Sequence, residues 1–351
     1  MYEEIAAKKF KELQSKDDYL ILAIESSCDE TSAAVTRGRD VLSLVIASQI
    51  EIHKRFGGVV PEIASRNHVS AIRNTVDEAL KQANVSLSDI SAVAVTYGAG
   101  LLGALLVGVS YAKSLAYAMN VPLIKVNHVR GHISANYIAD KSLEPPYLCL
   151  LASGGHTAIV EVTGYDDVKV IGTTQDDAVG EAFDKVARVL GLPYPGGPEI
   201  EKLAKDGKPT IDFPKGFHNK NTLDFSYSGL KTSVINYMHT AAQKGEEVNK
   251  ADVACSFQKS AVGVMTENVE KALLKTGLKT VVIAGGVASN KHLREEMEKV
   301  GKKRGVNVIY PPLKLCTDNA AMIGACAYNL IKEGKGRASL DLDASASVSL
   351  E

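Results

Sequence analysis

Several absences narrow what this chain can be before any motif is considered. It carries almost no net charge, −1 at pH 7, so nothing draws the whole surface toward nucleic acid or a membrane, and a polyanion site must be local. Its five cysteines (28, 149, 255, 316 and 326) show no C-x-x-C spacing and no disulfide-scaffold density, and read as thiols in a reducing cytoplasm. The N-terminal stretch MYEEIAAKKFKELQSKDD lacks the apolar core of a signal peptide, and no apolar run looks long enough to span a bilayer. From Ile90 through Ala139 there is no Asp or Glu at all. That absence removes the most tempting motif: GAGLLG (98–103) fits G-x-G-x-x-G, but the dinucleotide reading needs an acidic residue some 20 positions on for the ribose. The glycines are better explained by close packing of a helix on a strand.

What is present is the composition of a folded protein: 351 residues, 45% hydrophobic and 23% charged, long enough for two domains. Ala6, Phe10 and Leu13 share one face of a leading helix. Strands are expected at 19–26, 91–96, 121–126, 148–153 and 280–285, and helices at 62–83, 101–119, 176–190, 199–206, 229–243, 251–275, 290–304 and 319–332. Two blocks each open with strand, short polar turn and returning strand, as an internal duplication would. The alternation of strands and helices predicts α/β sheets covered on both faces. Pro145-Pro146 marks the seam. The expected division is an extension 1–18, a first domain 19–145, a second domain 146–333 and a disordered tail 334–351. Segment 206–228, rich in Gly, Pro, Asn and Lys, reads as a surface excursion or a plain long loop.

The chemistry-bearing residues fall in three groups. His128 and His132 in NHVRGH lie i, i+4 just after a strand, where a helix would put both imidazoles on one face to grip a divalent ion. Alternatively they are surface histidines. Val129 stands where a zinc protease of the H-E-x-x-H type needs its glutamate, which excludes that chemistry. Arg130 between them would discourage a cation unless it points away, toward a phosphate for instance. Asp318 in CTDNAAMIG completes a two-imidazole, one-carboxylate set with open positions, or with Thr317 simply caps the last helix. The turns SGGHT (153–157) and AGGVASN (284–290) end apolar strands in Gly-Gly, where backbone N–H groups can approach a phosphate without Cβ interference. Ser153, His156 and Thr157 could add donors. Asp29 and Glu30 sit in the acidic turn ESSCDETS, either facing the phosphates or serving as ordinary turn carboxylates. Phosphate hairpins in both halves match the duplicated actin, hexokinase and Hsp70-like ATPase (ASKHA) fold, with an interdomain cleft.

The motifs ESSCDETS, SQIEIHKRFGGVVPEIASR, NHVRGH, SGGHT, GEAFDKVARVLGLPYPGGP, FSYSGLKT, AGGVASN and CTDNAAMIG, in that order, resemble the TsaD-type family of tRNA threonylcarbamoyladenosine synthase subunits over roughly residues 20–332. The resemblance implies a transferase rather than a kinase. It would move the threonylcarbamoyl group of L-threonylcarbamoyl-AMP to the exocyclic amine of adenosine 37 in tRNAs reading ANN codons. It implies one iron or zinc ion held by His128, His132 and Asp318. Leu151, Ala152, Ser153, Gly154 and Gly155 would line the acyl-adenylate phosphate. Asp184, Gly197, Glu201 and Asn290 would hold ribose and adenine, and Asp29 and Glu30 match the turn credited with catalysis. The implied partners are a TsaB-like paralogue bound through the first domain, a TsaE-like ATPase, a TsaC-type enzyme supplying the intermediate, and tRNA. The chain departs from the family pattern at Tyr97 and Ala99 in TYGAG, at Arg130, at Leu151 and at Glu201. For tRNA contact the basic candidates are Lys54, Arg55 and Arg66, and the run Lys299, Lys302, Lys303 and Arg304, whose plainer reading is a solvated helix face. The competing function is a small-molecule kinase or ATPase of the same fold.

Overall fold

A computed structural model describes residues 2–217 and 222–351, which divide into two compact units. The first comprises residues 1–143, 164–167 and 317–351, and the second 144–163 and 168–316. Residues 218–221 of the expected excursion, and residue 1 of the N-terminal extension, lie outside the described residues.

In the first unit, α1 (Tyr2–Gln14) precedes a meander of β1 (Leu20–Glu25), β2 (Glu30–Arg37) and β3 (Asp40–Ser48). Then come the short α2 (Ile50–His53), α3 (Pro61–Gln82), β4 (Ile90–Gly98), α4 (Leu102–Met119), β5 (Leu123–Asn127) and α5 (His128–Ala139). The second unit holds β6 (Tyr147–Ala152), β7 (Thr157–Val162), β8 (Val168–Thr173), α6 (Val179–Leu190), α7 (Gly196–Ala204), α8 (Ser228–Lys244), α9 (Lys250–Thr276), β9 (Thr280–Ala284), α10 (Lys291–Arg304) and β10 (Asn307–Ile309). The chain then returns to the first unit with α11 (Ala320–Lys332) and β11 (Arg337–Ala338).

The duplication is explicit in the sheets. The first runs β11-β5-β4-β1-β2-β3 and the second β10-β9-β6-β7-β8. In each, three meander strands are antiparallel, the next strand joins the first in parallel, and the one after it joins that strand in parallel. Apart from β11, the two orders are identical. Central strands covered on both faces need no polar–apolar alternation. β1 accordingly buries every residue, including the carboxylate-bearing Glu25.

Two features of the C-terminal region differ from the sequence expectation. Helix 320–332 belongs to the first unit rather than the second, because Met322, Ile323, Leu330 and Ile331 bury themselves there and α11 packs on β1, β2 and α5. Each such side chain contributes roughly 1.5–3 kcal/mol of burial. The tail is ordered rather than disordered. Arg337 and Ala338 pair antiparallel with β5, and the backbone beyond them is hydrogen-bonded onward. Its polar composition says nothing against order when its own amides and carbonyls find partners.

Among the described residues, one helix, α4, is long and apolar enough to cross a membrane by length and composition, against the expectation that none is. Its small-residue face (Ala104, Leu105, Gly108, Val109, Ala112, Ala116) is buried, and the helix packs on β4 and α3. The glycines of GAGLLG are packing glycines: a Cβ on Gly103 would meet Ser65 Oγ at 2.5 Å, and one on Gly100 would meet the Ser27 carbonyl at 2.5 Å.

Candidate metal centre

β5 ends at Asn127, whose side chain accepts from the amides of Val129 (2.9 Å) and Arg130 (3.3 Å) and so caps α5. The cap places His128 at the first helical position and His132 one turn on, with ring centroids 4.6 Å apart and nearly perpendicular. Gly131 between them is fixed by packing, since a Cβ there would meet Ile323 Cδ1 at 2.8 Å. Its absence lets α5 lie against α11, and α11 brings Asp318 with it.

Asp318 does not cap that helix. Asn319 does, accepting from the Met322 amide at 3.0 Å. The Asp318 carboxylate is thereby left to face the imidazoles: Oδ1 lies 3.1 Å from His132 Nε2 and 3.5 Å from His128 Nε2. One ligand atom from each of the three lies within 4.8 Å of the others. Donors bound to zinc at 2.0–2.1 Å in a tetrahedron sit about 3.3 Å apart, so the set fits a divalent ion with little rearrangement. All three residues lie within the first unit, not on opposite sides of a division between two, as the sequence had led us to expect.

Behind His128 lies a carboxylate that the motifs did not single out. Glu25 Oε2 is 3.0 Å from His128 Nδ1 and accepts from Thr96 Oγ1 at 2.6 Å, while Oε1 accepts from the Ser27 amide at 2.5 Å. Ser27 Oγ also reaches His128 Nδ1, at 3.1 Å. A carboxylate on the far nitrogen fixes the tautomer and raises the basicity of the near one. Burial opposes protonation of His128, but the Asp318 and Glu25 carboxylates outweigh it and push its pKa up to about 9. Burial likewise opposes ionisation of Glu25, and the neighbouring His128 still holds it below the usual carboxylate range. The signal for Glu25 was available: a lone charge closing an otherwise apolar strand, LILAIE, is unusual unless it has a partner.

Asp29 and Glu30 lie where the hairpin enters β2, both largely buried. Glu30 Oε1 accepts from Ser48 Oγ at 2.8 Å, whereas Oε2 is buried with no hydrogen-bond partner among the described residues. Burial, with Asp29 and Asp318 nearby, pushes Glu30 up to about 7. Burial also raises Asp29, and Asp318 adds to the effect. Both acids thus feel the Asp318 charge, so the acidic turn and the triad share one neighbourhood. A carboxylate that titrates near neutrality is suited to accept a proton.

In the second unit, Leu151 and Ala152 end β6, and the turn closes with the Ser153 amide on the His156 carbonyl (2.8 Å) and the His156 amide on Ser153 Oγ (3.1 Å). A Cβ on Gly154 or Gly155 would meet nothing within 4 Å. Packing among the described residues therefore does not demand these glycines, and their backbone is open to close approach. Gly180, at the start of α6, lies against this turn, its amide on the Ser153 carbonyl at 3.2 Å, and Gly285 (φ +91°) lies against Ala152. Two glycine turns and a helix N-terminus thus meet at the carboxyl ends of β6 and β9, an arrangement suited to an anion.

The remaining candidates are partly engaged by neighbouring residues. Asp184 Oδ1 accepts from the Gly196 amide at 2.6 Å, and a Cβ on Gly197 would meet nothing within 4 Å. Glu201 Oε1 accepts from the Lys291 amide at 3.2 Å. Asn290 caps α10 at the Leu293 amide (2.9 Å) and donates to Gln258 Oε1 (2.9 Å). Glu201, Gln258, Lys259 and Lys291 line a cavity of about 340 Å³. Gln258 carried no motif signal, being one polar residue within a long helix. Several basic candidates are already paired: Lys54 with Glu51, Arg66 with Glu62, Lys299 with Glu296, and Lys303 and Arg304 with Glu270.

The repeated sheet order and paired glycine turns define the actin, hexokinase and Hsp70-like ATPase fold. Full-length HypF in its phosphate- and nucleotide-bound form superposes with a TM-score of 0.63 at 16% identity, covering 92% of this chain and 47% of that one. The ADPNP-bound activator of 2-hydroxyisocaproyl-CoA dehydratase from Clostridium difficile gives 0.51 at 12% identity, covering 90% and 96%. At such identities the likeness is one of fold alone. Sequence likeness goes further. The family model "TsaD: tRNA N6-adenosine threonylcarbamoyltransferase" matches residues 40–325. A relative of that name from Clostridium novyi (strain NT) is 60% identical over 331 residues, 93% of this chain and 96% of its own. One from Clostridium perfringens (strain 13 / Type A) is 58% identical over 320 residues, 91% and 94%. The chain belongs to the TsaD family.

Proposed function

We propose that this chain transfers the threonylcarbamoyl group of L-threonylcarbamoyl-AMP to the N6 amine of adenosine 37 in tRNAs reading ANN codons. The observation that carries the activity is likeness over nearly the whole chain to relatives named for that transfer. In the reaction the adenosine nitrogen forms a bond to the carbamoyl carbon. The bond from that carbon to the phosphate oxygen breaks, AMP leaves with the electron pair, and the amine gives up a proton. His128, His132 and Asp318 would hold an iron(II) or zinc ion, with Glu25 orienting His128. When bound, such an ion supplies Lewis-acid polarisation of an acyl oxygen. Glu30, raised toward neutrality and with one oxygen unpartnered, is the better placed of the acidic pair to take the amine proton, with Asp29 orienting the amine. Leu151, Ala152, Ser153, Gly154 and Gly155 would receive the phosphate through backbone amides. Asp184, Gly197, Glu201 and Asn290 would hold the nucleoside. Fixing two large reactants in register supplies much of the acceleration, an effect worth roughly 7–11 kcal/mol.

The chain would act in the cytoplasm with a TsaB-like paralogue and a TsaE-like ATPase, and a TsaC-type enzyme would supply the intermediate. An apolar surface on α3 and α4 supports protein contact through the first unit. Val69, Leu102 and Leu106 are exposed there, and a hollow of about 550 Å³ lies among Val69, Ile72, Leu106 and Tyr111. With net charge −1 and several cations already paired, part of the positive surface for tRNA would come from partners, and binding should weaken with salt. The test is incubation with threonine, bicarbonate, ATP, partner proteins and an ANN-reading tRNA, followed by mass analysis of nucleosides. Expected is threonylcarbamoyladenosine from the parent and none from a folded Asp318→Ala variant. Phosphate transfer from ATP to a small molecule without tRNA would overturn the reading.

A further inference from the structure

The C-terminal segment makes a set of contacts that no part of the transfer reading uses. The Ser345 amide donates to the Tyr97 carbonyl at 2.8 Å, and the Gly100 amide donates to the Ala346 carbonyl at 3.1 Å. Asn127 Nδ2 donates to the Ser349 carbonyl at 2.9 Å. Arg130 donates to the Leu350 carbonyl through Nε (3.1 Å) and Nη2 (2.8 Å). The segment lies so close over the end of β4 that a Cβ on Gly98 would strike Val348 Cγ2 and the Ser345 carbonyl. These bonds are almost all to backbone carbonyls and amides of the tail, which is why its small polar side chains carry so little sequence signal.

Three of the contacts lead to His128 without touching it. Asn127, held by Ser349, is the residue whose other side-chain atom caps α5 at Val129 and Arg130, immediately after His128. Gly100, held by Ala346, precedes Leu101, whose amide donates to the Ser27 carbonyl at 2.7 Å, and Ser27 Oγ meets His128 Nδ1. Arg130 is drawn to Leu350 and to Asp166, which also accepts from Lys335, so its charge is engaged by carbonyl and carboxylate oxygens. We propose that residues 345–351 are a positioning clamp for the divalent-ion site, fixing the start of α5, and hence His128, from outside the ligand set. The clamp rests on the ion reading of His128, His132 and Asp318. Outer groups that orient a ligating histidine are worth roughly 10- to 100-fold in ion affinity.

The experiment compares the full chain with one ending at Ala344, each freed of metal and titrated with Zn²⁺ or Co²⁺ alone against a competing chelator. Amide exchange at Val129 and Arg130 is followed in parallel. Expected is a roughly 10- to 100-fold weaker ion affinity and faster exchange at those amides in the shortened chain. Full-length Gly98→Ala, which displaces the tail without altering it, should reproduce the loss, and adding Gly98→Ala to the shortened chain should cost nothing more. If the shortened chain does not fold, full-length Gly98→Ala carries the test. Ion affinity and exchange unchanged within twofold would overturn the clamp, and so would a gain in transfer activity, which would mark the tail as an obstruction. If the full chain binds no ion, the ion reading falls, and amide exchange alone then decides whether the tail fixes α5.

Discussion

Replacing Glu25 by glutamine is the sharpest probe of the proposed ion site, because it changes one charge and almost no volume. In the parent, Glu25 is fully buried and holds His128 Nδ1, Thr96 Oγ1 and the Ser27 amide. Glutamine can keep its one acceptor oxygen on the Ser27 amide, but it turns an NH2 donor toward Thr96 Oγ1 and His128 Nδ1, and the charge that raises His128 basicity is gone. A net hydrogen bond to a charged group is worth about 1.5–3 kcal/mol. Loss of an outer partner of a ligating histidine costs 10- to 100-fold, or about 1.4–2.7 kcal/mol, in ion binding. The two scales agree, so a Kd for Zn²⁺ raised by one to two orders of magnitude is expected. Equilibrium dialysis against a buffered metal series, with elemental analysis of retained ion, measures it. Glu30→Gln serves as the control, since Glu30 bonds to Ser48 rather than to His128. An unchanged Kd in a folded Glu25→Gln variant would refute the claim that Glu25 tunes the site. Equal losses in both variants would trace the effect to general acidity of the pocket.

Other perturbations follow from the same geometry. Glu30 is raised from 4.5 to about 7, mainly by burial, so its ionisation is opposed by folding and its contribution to stability falls as pH rises from about 4.5 through about 7. Glu30→Gln should therefore gain stability relative to the parent over that window, by up to about 3 kcal/mol on denaturant titration. In the parent, transfer should rise with pH through about 7 and level off, and the variant should lose most of the rate; a parent profile flat from pH 5.5 to 8.5 would remove Glu30 as proton acceptor. Asn319→Ala should cost about 1 kcal/mol as a lost cap and weaken ion binding by loosening Asp318; a stability loss with ion affinity intact would separate the two roles. Gly285→Ala combines a left-handed φ of +91° with a Cβ driven into the Ala152 carbonyl, and should destabilise the second unit by at least about 1 kcal/mol, checked by thermal unfolding.

The sequence alone determined much of the local structure and named the three residues that cluster at His128, His132 and Asp318. His128 and His132 one helical turn apart, a carboxylate in CTDNAAMIG, two strands ending in Gly-Gly and the strand–turn–strand openings of both halves are short-range patterns. Short-range geometry is set by residue type and spacing. Only the tertiary structure decided the rest. It gave α11, and with it Asp318, to the unit that carries the histidines, because burial of Met322, Ile323, Leu330 and Ile331 is settled by which surface receives them. It made Asn319 rather than Asp318 the helix cap, a choice between adjacent residues with similar cap preference. It set Glu25 against His128 and laid the tail over Gly98, contacts between residues a hundred or more positions apart. Pairings of that kind depend on sheet register and helix packing, which no local pattern encodes.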